Sequence, residues 1–164
     1  MQHMSNGKWL SLVLLLGGVA GCATSNVQMQ SQRVDGSHCQ AITEVEVAAL
    51  FDRWNAALKS GDPRRVVANY APQSLLLPTM SNKPRWTEAE KEDYFHHFLQ
   101  SQPDGRIEAR HIEIACNSAV DAGLYTFQLG ATGTAVRARY TFTYKWQDGQ
   151  WLISSHHSSA MPER

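Results

Sequence analysis

A segment near the end of the chain holds the residues whose types and spacing could do chemistry. Residues 154–159 read Ser-Ser-His-His-Ser-Ser. Successive side chains of a strand point to opposite faces, so one of His156 and His157 faces any pocket behind this strand. A histidine whose hydrogen bonds are satisfied at a subunit contact is an equal alternative to a catalytic or ligand-binding one.

The preceding stretch alternates two sets of residues with different chemistry. One set predicts a core or pocket-lining face and consists of Ala138, Tyr140, Phe142, Tyr144 and Trp146. The other set predicts a face toward solvent or a partner subunit and consists of Arg137, Arg139, Thr141, Thr143 and Lys145. Arg139 stays a ligand-binding candidate, because an unpaired charge in mid-strand is costly. The candidates for an apolar pocket wall, with core packing as the alternative, are Trp54, Tyr70, Tyr125 and Phe142.

Other kinds of site have no support in the sequence. The seven histidines include two adjacent pairs, but adjacent histidines diverge on a helix or a strand, and no metal-ligand spacing occurs. There is no Gly-x-Gly-x-x-Gly motif for a redox cofactor and no nucleophile elbow around the serines. The net charge is zero and no polybasic stretch occurs. We therefore expect no metal, no cofactor and no nucleic acid partner.

The first 22 residues predict where the protein is located. Lys8 precedes the apolar run 9–16, and Val19-Ala20-Gly21-Cys22 follows. This order is typical of a secretory signal peptide and resembles the lipobox of bacterial lipoproteins, with an ordinary signal peptide cut elsewhere as the alternative. We expect a signal peptide over 1–21, a lipidated Cys22 and a flexible tether over 22–38, ahead of one domain over 39–164. The expected location is the bacterial cell envelope, at the periplasmic face of the outer membrane, with membrane contact through the lipid.

Two further cysteines remain once Cys22 carries the lipid. Cys39 and Cys116 form an even pair in an oxidising compartment, which predicts a disulfide. The bond would join the segment before the first helix to the middle of a strand. Two buried free thiols are the alternative.

The elements that position these residues follow from capping and periodicity. Thr43 and Thr87 each precede a glutamate by three residues, which predicts helices from 43 to Gly61 and from 87 to about Leu99. We expect a short helix from Pro63 through Tyr70, a short strand over 74–78 and a turn over 103–105. Period-two alternation then predicts strands over 107–117, 119–129, 134–146 and 150–158. Helices followed by an antiparallel meander indicate the α+β class.

Parts of these elements resemble a known superfamily and a narrower family. Residues 51–62, FDRWNAALKSGD, resemble the first helix and turn of nuclear transport factor 2-like domains. Tyr94-Phe95 and residues 148–162, DGQWLISSHHSSAMP, resemble the association domain of calcium/calmodulin-dependent protein kinase II and its stand-alone bacterial relatives, the SgcJ/EcaC family. The resemblance covers about residues 40–162. It implies a cone-shaped, cystatin-like fold with about three N-terminal helices on a curved, mainly antiparallel sheet.

The resemblance also bears on the pocket and on assembly. His157 matches the last histidine of the association-domain motif, so we take it as the candidate catalytic and pocket histidine. Phe142 and Ser158 stand where that domain has arginines, which argues against an acidic-ligand pocket built from two arginines. Related domains pair through the outer face of the sheet, so we expect a homodimer. That face is predicted to contain Thr141, Thr143 and Ile153 beside Arg137, Arg139 and Lys145.

Two functions remain open at this point. The first is a non-catalytic, lipid-anchored association and binding module with a pocket for a small, partly aromatic or anionic molecule. The second is a small cofactor-independent enzyme of the isomerase, cyclase or dehydratase type, with acid and base residues in the pocket. The sequence favours the first, because it does not identify the acid/base pair that catalysis requires.

Overall fold

The computed structural model describes residues 39–79 and 81–162. Helices α1 (Glu44–Lys59), α2 (Pro63–Val67) and α3 (Glu88–Phe98) lie in the first half of this part of the chain, and a short 3-10 helix spans Leu99–Ser101. The strands are β1 (Tyr70–Leu77), β2 (Pro103–Ala115), β3 (Ser118–Leu129), β4 (Thr134–Gln147) and β5 (Gln150–Ala160). They form one sheet in the order β1-β5-β4-β3-β2, antiparallel except for the β1–β5 pair. The predicted α+β architecture is confirmed.

Reciprocal capping explains where the two long helices begin. The Thr43 hydroxyl accepts from the Glu46 backbone N–H at 3.3 Å, and the Glu46 carboxylate accepts from the Thr43 N–H at 2.8 Å. Thr87 and Glu90 repeat the same capping box at the start of α3. Each arrangement satisfies N–H groups that have no partner within the helix, which is typically worth about 1 kcal/mol.

The core lies between α1 and the concave face of the sheet. Helical spacing buries one stripe of α1, and strand alternation buries the aromatic set of β4. The buried residues of these two elements include Val47, Phe51, Trp54, Leu58, Ala138, Tyr140, Phe142 and Tyr144. Burying one large apolar side chain is worth about 1.5–3 kcal/mol, so this layer carries much of the folding free energy.

The structure corrects the predicted elements at several places. Residues 103–105 begin β2 instead of forming a turn, because the buried Asn55 side chain bonds the Gly105 N–H at 2.8 Å and its carbonyl at 2.9 Å. Tyr70 begins β1 instead of ending α2. Ile153 pairs with Tyr144 and is buried in the core, so it is absent from the outer face. A register shift after Thr143 accounts for this, since Lys145 then pairs with Leu152.

The two cysteines of the domain lie side by side. Their Cα atoms are 4.8 Å apart, within the range that a disulfide spans. Cys116 lies in the turn between β2 and β3, not in mid-strand as expected. The predicted signal peptide, Cys22 and the whole predicted tether over 22–38 fall outside the described residues. Within the described residues, no helix has the length and apolarity needed to cross a membrane.

Candidate functional site

A cavity of about 450 Å³ opens between α3, the end of β1 and the concave face of the sheet. Its walls are mostly aromatic and aliphatic, and they include Trp54, Leu76, Pro78, Tyr94, Phe95, Phe98, Phe127, Leu129, Val136 and Ala138. Its polar lining consists of Thr79, Arg85, His97, Ser101, Tyr125, His156 and Ser158. A concave apolar site with a few convergent polar groups is typical of a small-molecule site.

Three hydroxyl groups from three parts of the chain meet at the buried end of this cavity. Tyr125 on β3 donates its phenolic proton to Ser158 Oγ on β5 at 2.5 Å. The Thr79 hydroxyl, just after β1, shares a hydrogen bond with the same Ser158 oxygen. The two contacts use two of the three hydroxyl protons, so the third is available to a ligand oxygen. We call Thr79, Tyr125 and Ser158 the hydroxyl cluster.

His156 lies beside the hydroxyl cluster and is only 3% exposed. Its ring stacks on Phe142 with centroids 3.9 Å apart and meets Trp54 edge-on at 5.2 Å. Its Nδ1 lies 2.9 Å from the Tyr70 hydroxyl, while Nε2 is buried with no hydrogen-bond partner in the described part of the chain. Burial lowers the pKa of His156 to about 3, so the ring stays neutral at physiological pH.

Arg85 brings the positive charge of a guanidinium to the cavity wall. Its backbone N–H and carbonyl both bond Leu76 of β1, at 2.9 and 3.0 Å. Its NH1 lies 3.2 Å from Asp93 Oδ2, and its guanidinium sits 5.7 Å from the centroid of the Tyr94 ring. Its Nε is buried without a partner among the described residues. No aspartate or glutamate lines the cavity in this part of the chain.

The tyrosines around the cavity are also held neutral. Burial raises the pKa of Tyr125 and of Tyr70 well above the ordinary value, and it raises the pKa of Tyr94 to about 12. The buried end therefore presents uncharged donors and acceptors, and Arg85 adds a positive charge. This combination suits a small oxygen-rich molecule or a monoanion.

The structure brings together part of the residue set predicted from the sequence. Trp54 and Tyr125 line the cavity, and Tyr70 and Phe142 lie directly behind it in contact with His156. Arg139 and His157 lie on the outer face of the sheet and are exposed. The pocket assignment of these two residues is therefore corrected, because strand alternation turns both away from the cavity.

The sequence reasoning missed several cavity residues. In the sequence, Ser158 stands out only as the replacement of an arginine, and no pattern singles out Thr79 or Arg85. Cross-strand pairing explains the correct choice of histidine, since Phe142 lies opposite His156 and Tyr140 opposite Ser158. Residues directly opposite each other share a face, so the buried aromatic set of β4 selects His156 and Ser158. No cluster of three potential metal ligands occurs among the described residues.

This arrangement of helices on a curved sheet around an apolar cavity defines the class of protein. An NTF2-like protein with a cystatin-like fold from Novosphingobium aromaticivorans matches with a TM-score of 0.62 at 10% identity, over 73% of this chain and 82% of that one. At this identity the match establishes the fold alone, and it confirms the NTF2-like, cystatin-like architecture.

The family follows from closer matches. The family model of the calcium/calmodulin dependent protein kinase II association domain matches residues 43–162. A putative association-domain protein of this family from Xanthomonas campestris is 48% identical, with a TM-score of 0.70, over 77% of this chain and 99% of that one. The chain therefore belongs to the calcium/calmodulin-dependent protein kinase II association domain family.

A further solved structure adds an enzyme to the same fold. The iota-carbonic anhydrase from a cyanobacterium, complexed with bicarbonate, matches with a TM-score of 0.67 at 24% identity, over 76% of this chain and 95% of that one. This match again concerns the fold alone. No curated protein matches the sequence significantly.

Proposed function

We propose that the cavity binds CO2 and bicarbonate and that the protein catalyses their interconversion. The observation that carries the proposal is the hydroxyl cluster, with its unused proton, at the end of an aromatic cavity. Support comes from the cyanobacterial carbonic anhydrase, which has this fold and was solved with bicarbonate. Its identity to this chain is too low to transfer a function, so the argument rests on the site.

The chemistry of the two molecules matches the two parts of the cavity. Bicarbonate offers oxygen acceptors and one O–H donor, and hydroxyl groups can serve both. CO2 has no net charge or dipole, so aromatic walls accommodate it. As water attacks CO2, negative charge develops on the oxygens. A fixed donor, here the one hydroxyl proton that the Thr79–Ser158 pair leaves unused, stabilises that charge most effectively where water is excluded.

The arrangement favours catalysis by hydrogen bonding instead of by a charged base. His156 is held neutral and the tyrosine pKa values are raised, so none of these groups becomes charged near pH 7. The role of the two that line the cavity, His156 and Tyr125, is to orient water and bicarbonate oxygens. Proximity and orientation alone lower barriers substantially when the reacting atoms are held in contact.

A non-catalytic binding module, the function that the sequence alone favours, uses the same cavity. The two functions are separated by measuring binding and turnover on one preparation. Isothermal titration with bicarbonate reports binding, and loss of ¹⁸O label from CO2, followed by mass spectrometry, reports turnover. We expect both signals, and binding without exchange would leave the non-catalytic module as the function.

Variants of β5 test the role of the hydroxyl cluster. Ser158→Ala removes the oxygen on which the cluster converges, and we expect the exchange rate to fall by at least tenfold. Ser159→Ala is the matched control, because Ser159 belongs to the same strand but does not line the cavity. Equal rates in the two variants would contradict the proposed site.

We further propose that this domain is lipid-anchored through Cys22 in the bacterial envelope, at the periplasmic face of the outer membrane. The support is the order of charged, apolar and small residues before Cys22. Cys22→Ala should abolish recovery in the membrane fraction.

A disulfide between Cys39 and Cys116 is tested by thiol labelling of the protein after it is unfolded without reduction. Both cysteines should be blocked, and two labelled thiols would contradict the disulfide.

A homodimer through the outer face of the sheet completes the proposal. Strand pairing places Val120 and Ala122 opposite Thr143 and Thr141 on this face, and these four residues are half-buried in the single chain. Such a mixture suits an interface better than a free surface. Light scattering at micromolar concentration should give twice the monomer mass. A monomer mass would contradict the dimer, and ten or more subunits would indicate a ring.

A further inference from the structure

The proposed reaction creates a proton that the buried end of the cavity cannot keep. Hydration turns CO2 and water into bicarbonate and one proton. His156 is held neutral by burial, and the neighbouring tyrosines and serine are neutral donors already. Sustained turnover therefore requires a proton acceptor at the solvent side of the cavity.

On the basis of the proposed function, we propose that His97 on α3 is the proton-exit residue, which takes the product proton at Nε2 and passes it to buffer. His97 lines the same cavity as the hydroxyl cluster. It is the one residue of the described lining that is classed as exposed, with 69% of its side chain accessible. His97 therefore contacts both the cavity and the solvent. Histidine is the side chain best suited to carry protons near neutral pH.

The hydrogen bonds of His97 leave the correct nitrogen free. Its Nδ1 lies 2.8 Å from the backbone carbonyl oxygen of Asp93. A carbonyl oxygen only accepts, so the neutral ring must carry its proton on Nδ1 and keep a lone pair on Nε2. The Asp93 carboxylate lies 4.0 Å from the same nitrogen, Nδ1, so both of these contacts are on the side of the ring away from Nε2.

The steps balance without any additional reactant. The water oxygen bonds to the CO2 carbon as one water O–H bond breaks, which gives bicarbonate and a proton. The proton moves through cavity water to His97 Nε2 and then to a buffer base, which restores the neutral ring. A volume of about 450 Å³ leaves room for such water beside one bicarbonate, since a water molecule occupies about 30 Å³ in the liquid.

The neighbouring histidine provides a matched control. His96 lies next to His97 on α3 and is also exposed, but its ring is turned by 89° and it does not line the cavity. His97→Gln and His96→Gln are compared by stopped-flow CO2 hydration at low and high buffer concentration. The protein carries no histidine tag, since a tag would supply other imidazoles.

The expected result is a loss confined to proton transfer. At low buffer, kcat of His97→Gln should fall at least tenfold while kcat/KM stays within twofold, and added imidazole should restore kcat. His96→Gln should match the wild type. Wild-type kcat in His97→Gln at low buffer would overturn this inference and leave the proposed function intact, as would a loss of kcat and kcat/KM together that imidazole does not restore. A wild-type protein that fails to hydrate CO2 would remove the proposed function as well.

Discussion

Two polar clusters lie on the concave side of the sheet, but only one of them lines the cavity. In the first, which we call the ion-pair cluster, Asp121 Oδ1 accepts from Arg110 Nε at 3.1 Å and from the Tyr140 hydroxyl at 2.7 Å. None of these three residues lines the cavity. In the hydroxyl cluster, by contrast, every member is uncharged and lines the cavity.

From this difference we expect a structural role for the ion-pair cluster and, under the proposed function, a role in activity for the hydroxyl cluster. Asp121 is fully buried, and burial raises the pKa of its carboxyl against the opposing effect of the Tyr140 and Arg110 hydrogen bonds. The Arg110 side chain is 24% exposed, and its guanidinium lies 5.9 Å from the Phe51 ring centroid, which links the pair to the core. Each charge is thus matched within the protein, whereas the hydroxyl cluster retains a proton for a ligand. Substitutions should therefore affect stability in the first cluster and activity in the second.

The largest effect is expected when the ion-pair cluster is broken. Asp121→Ala leaves the buried Tyr140 hydroxyl without its acceptor and the partly accessible Arg110 guanidinium without its counter-charge. Removing one partner of a buried ion pair typically costs about 3–5 kcal/mol. We expect the free energy of unfolding, measured by urea denaturation, to fall by about 3 kcal/mol or more.

An exposed carboxylate on β2 controls for the loss of a charge. Glu113 pairs with His111 at 3.1 Å, and both side chains are 73% exposed. Because exposed ion pairs contribute little, Glu113→Ala should change the unfolding free energy by less than about 1 kcal/mol. Similar losses in the two variants would show that Asp121 has no special structural role.

A second effect is expected in the pH dependence of stability. A histidine with a lower pKa in the folded chain stabilises the fold above its unfolded pKa, near 6.5, and this stabilisation is lost as pH falls toward 3. The slope from one such group reaches about 1.4 kcal/mol per pH unit. His156→Gln should therefore flatten the decline of unfolding free energy between pH 6.5 and 4.

The adjacent residue again serves as the comparison. His157 lies on the outer face and is exposed, so His157→Gln should retain the wild-type decline. If unfolding free energy fell between pH 6.5 and 4 as steeply in both variants as in the wild type, a buried neutral His156 would not be the cause of that fall. This pair also checks the assignment of the cavity histidine, since the sequence alone selected the wrong side of the strand.

The sequence predicted the architecture better than the site. The capping boxes at Thr43 and Thr87 and the alternation along β4 are local signals. The boxes mark where α1 and α3 begin, and the alternation indicates which face of β4 is buried. The choice between His156 and His157 depends on the pairing of β5 with β4, which is not visible in a local pattern. The association-domain motif pointed to His157, because a motif aligns positions and carries no information on which face a residue occupies.

The rest of the site depends on contacts between distant parts of the chain. Ser158 meets Thr79 across 79 residues and Tyr125 across 33, and no spacing rule connects such positions. Arg85 enters the cavity wall because an isolated bridge to Leu76 fixes its backbone.

The smallest effect, and the sharpest test of the comparison, comes from two tyrosines that pack together. The rings of Tyr125 and Tyr140 have centroids 4.9 Å apart, and each loses one hydroxyl when it is replaced by Phe. Tyr140→Phe removes a hydrogen bond to a charged acceptor, about 1.5–3 kcal/mol, and Tyr125→Phe removes one between neutral groups, about 0.5–1.5 kcal/mol. Activity should show the reverse order: Tyr125→Phe should slow ¹⁸O exchange at least fivefold, and Tyr140→Phe should stay within twofold. If one variant lost more in both stability and activity, the two clusters would not have separate roles.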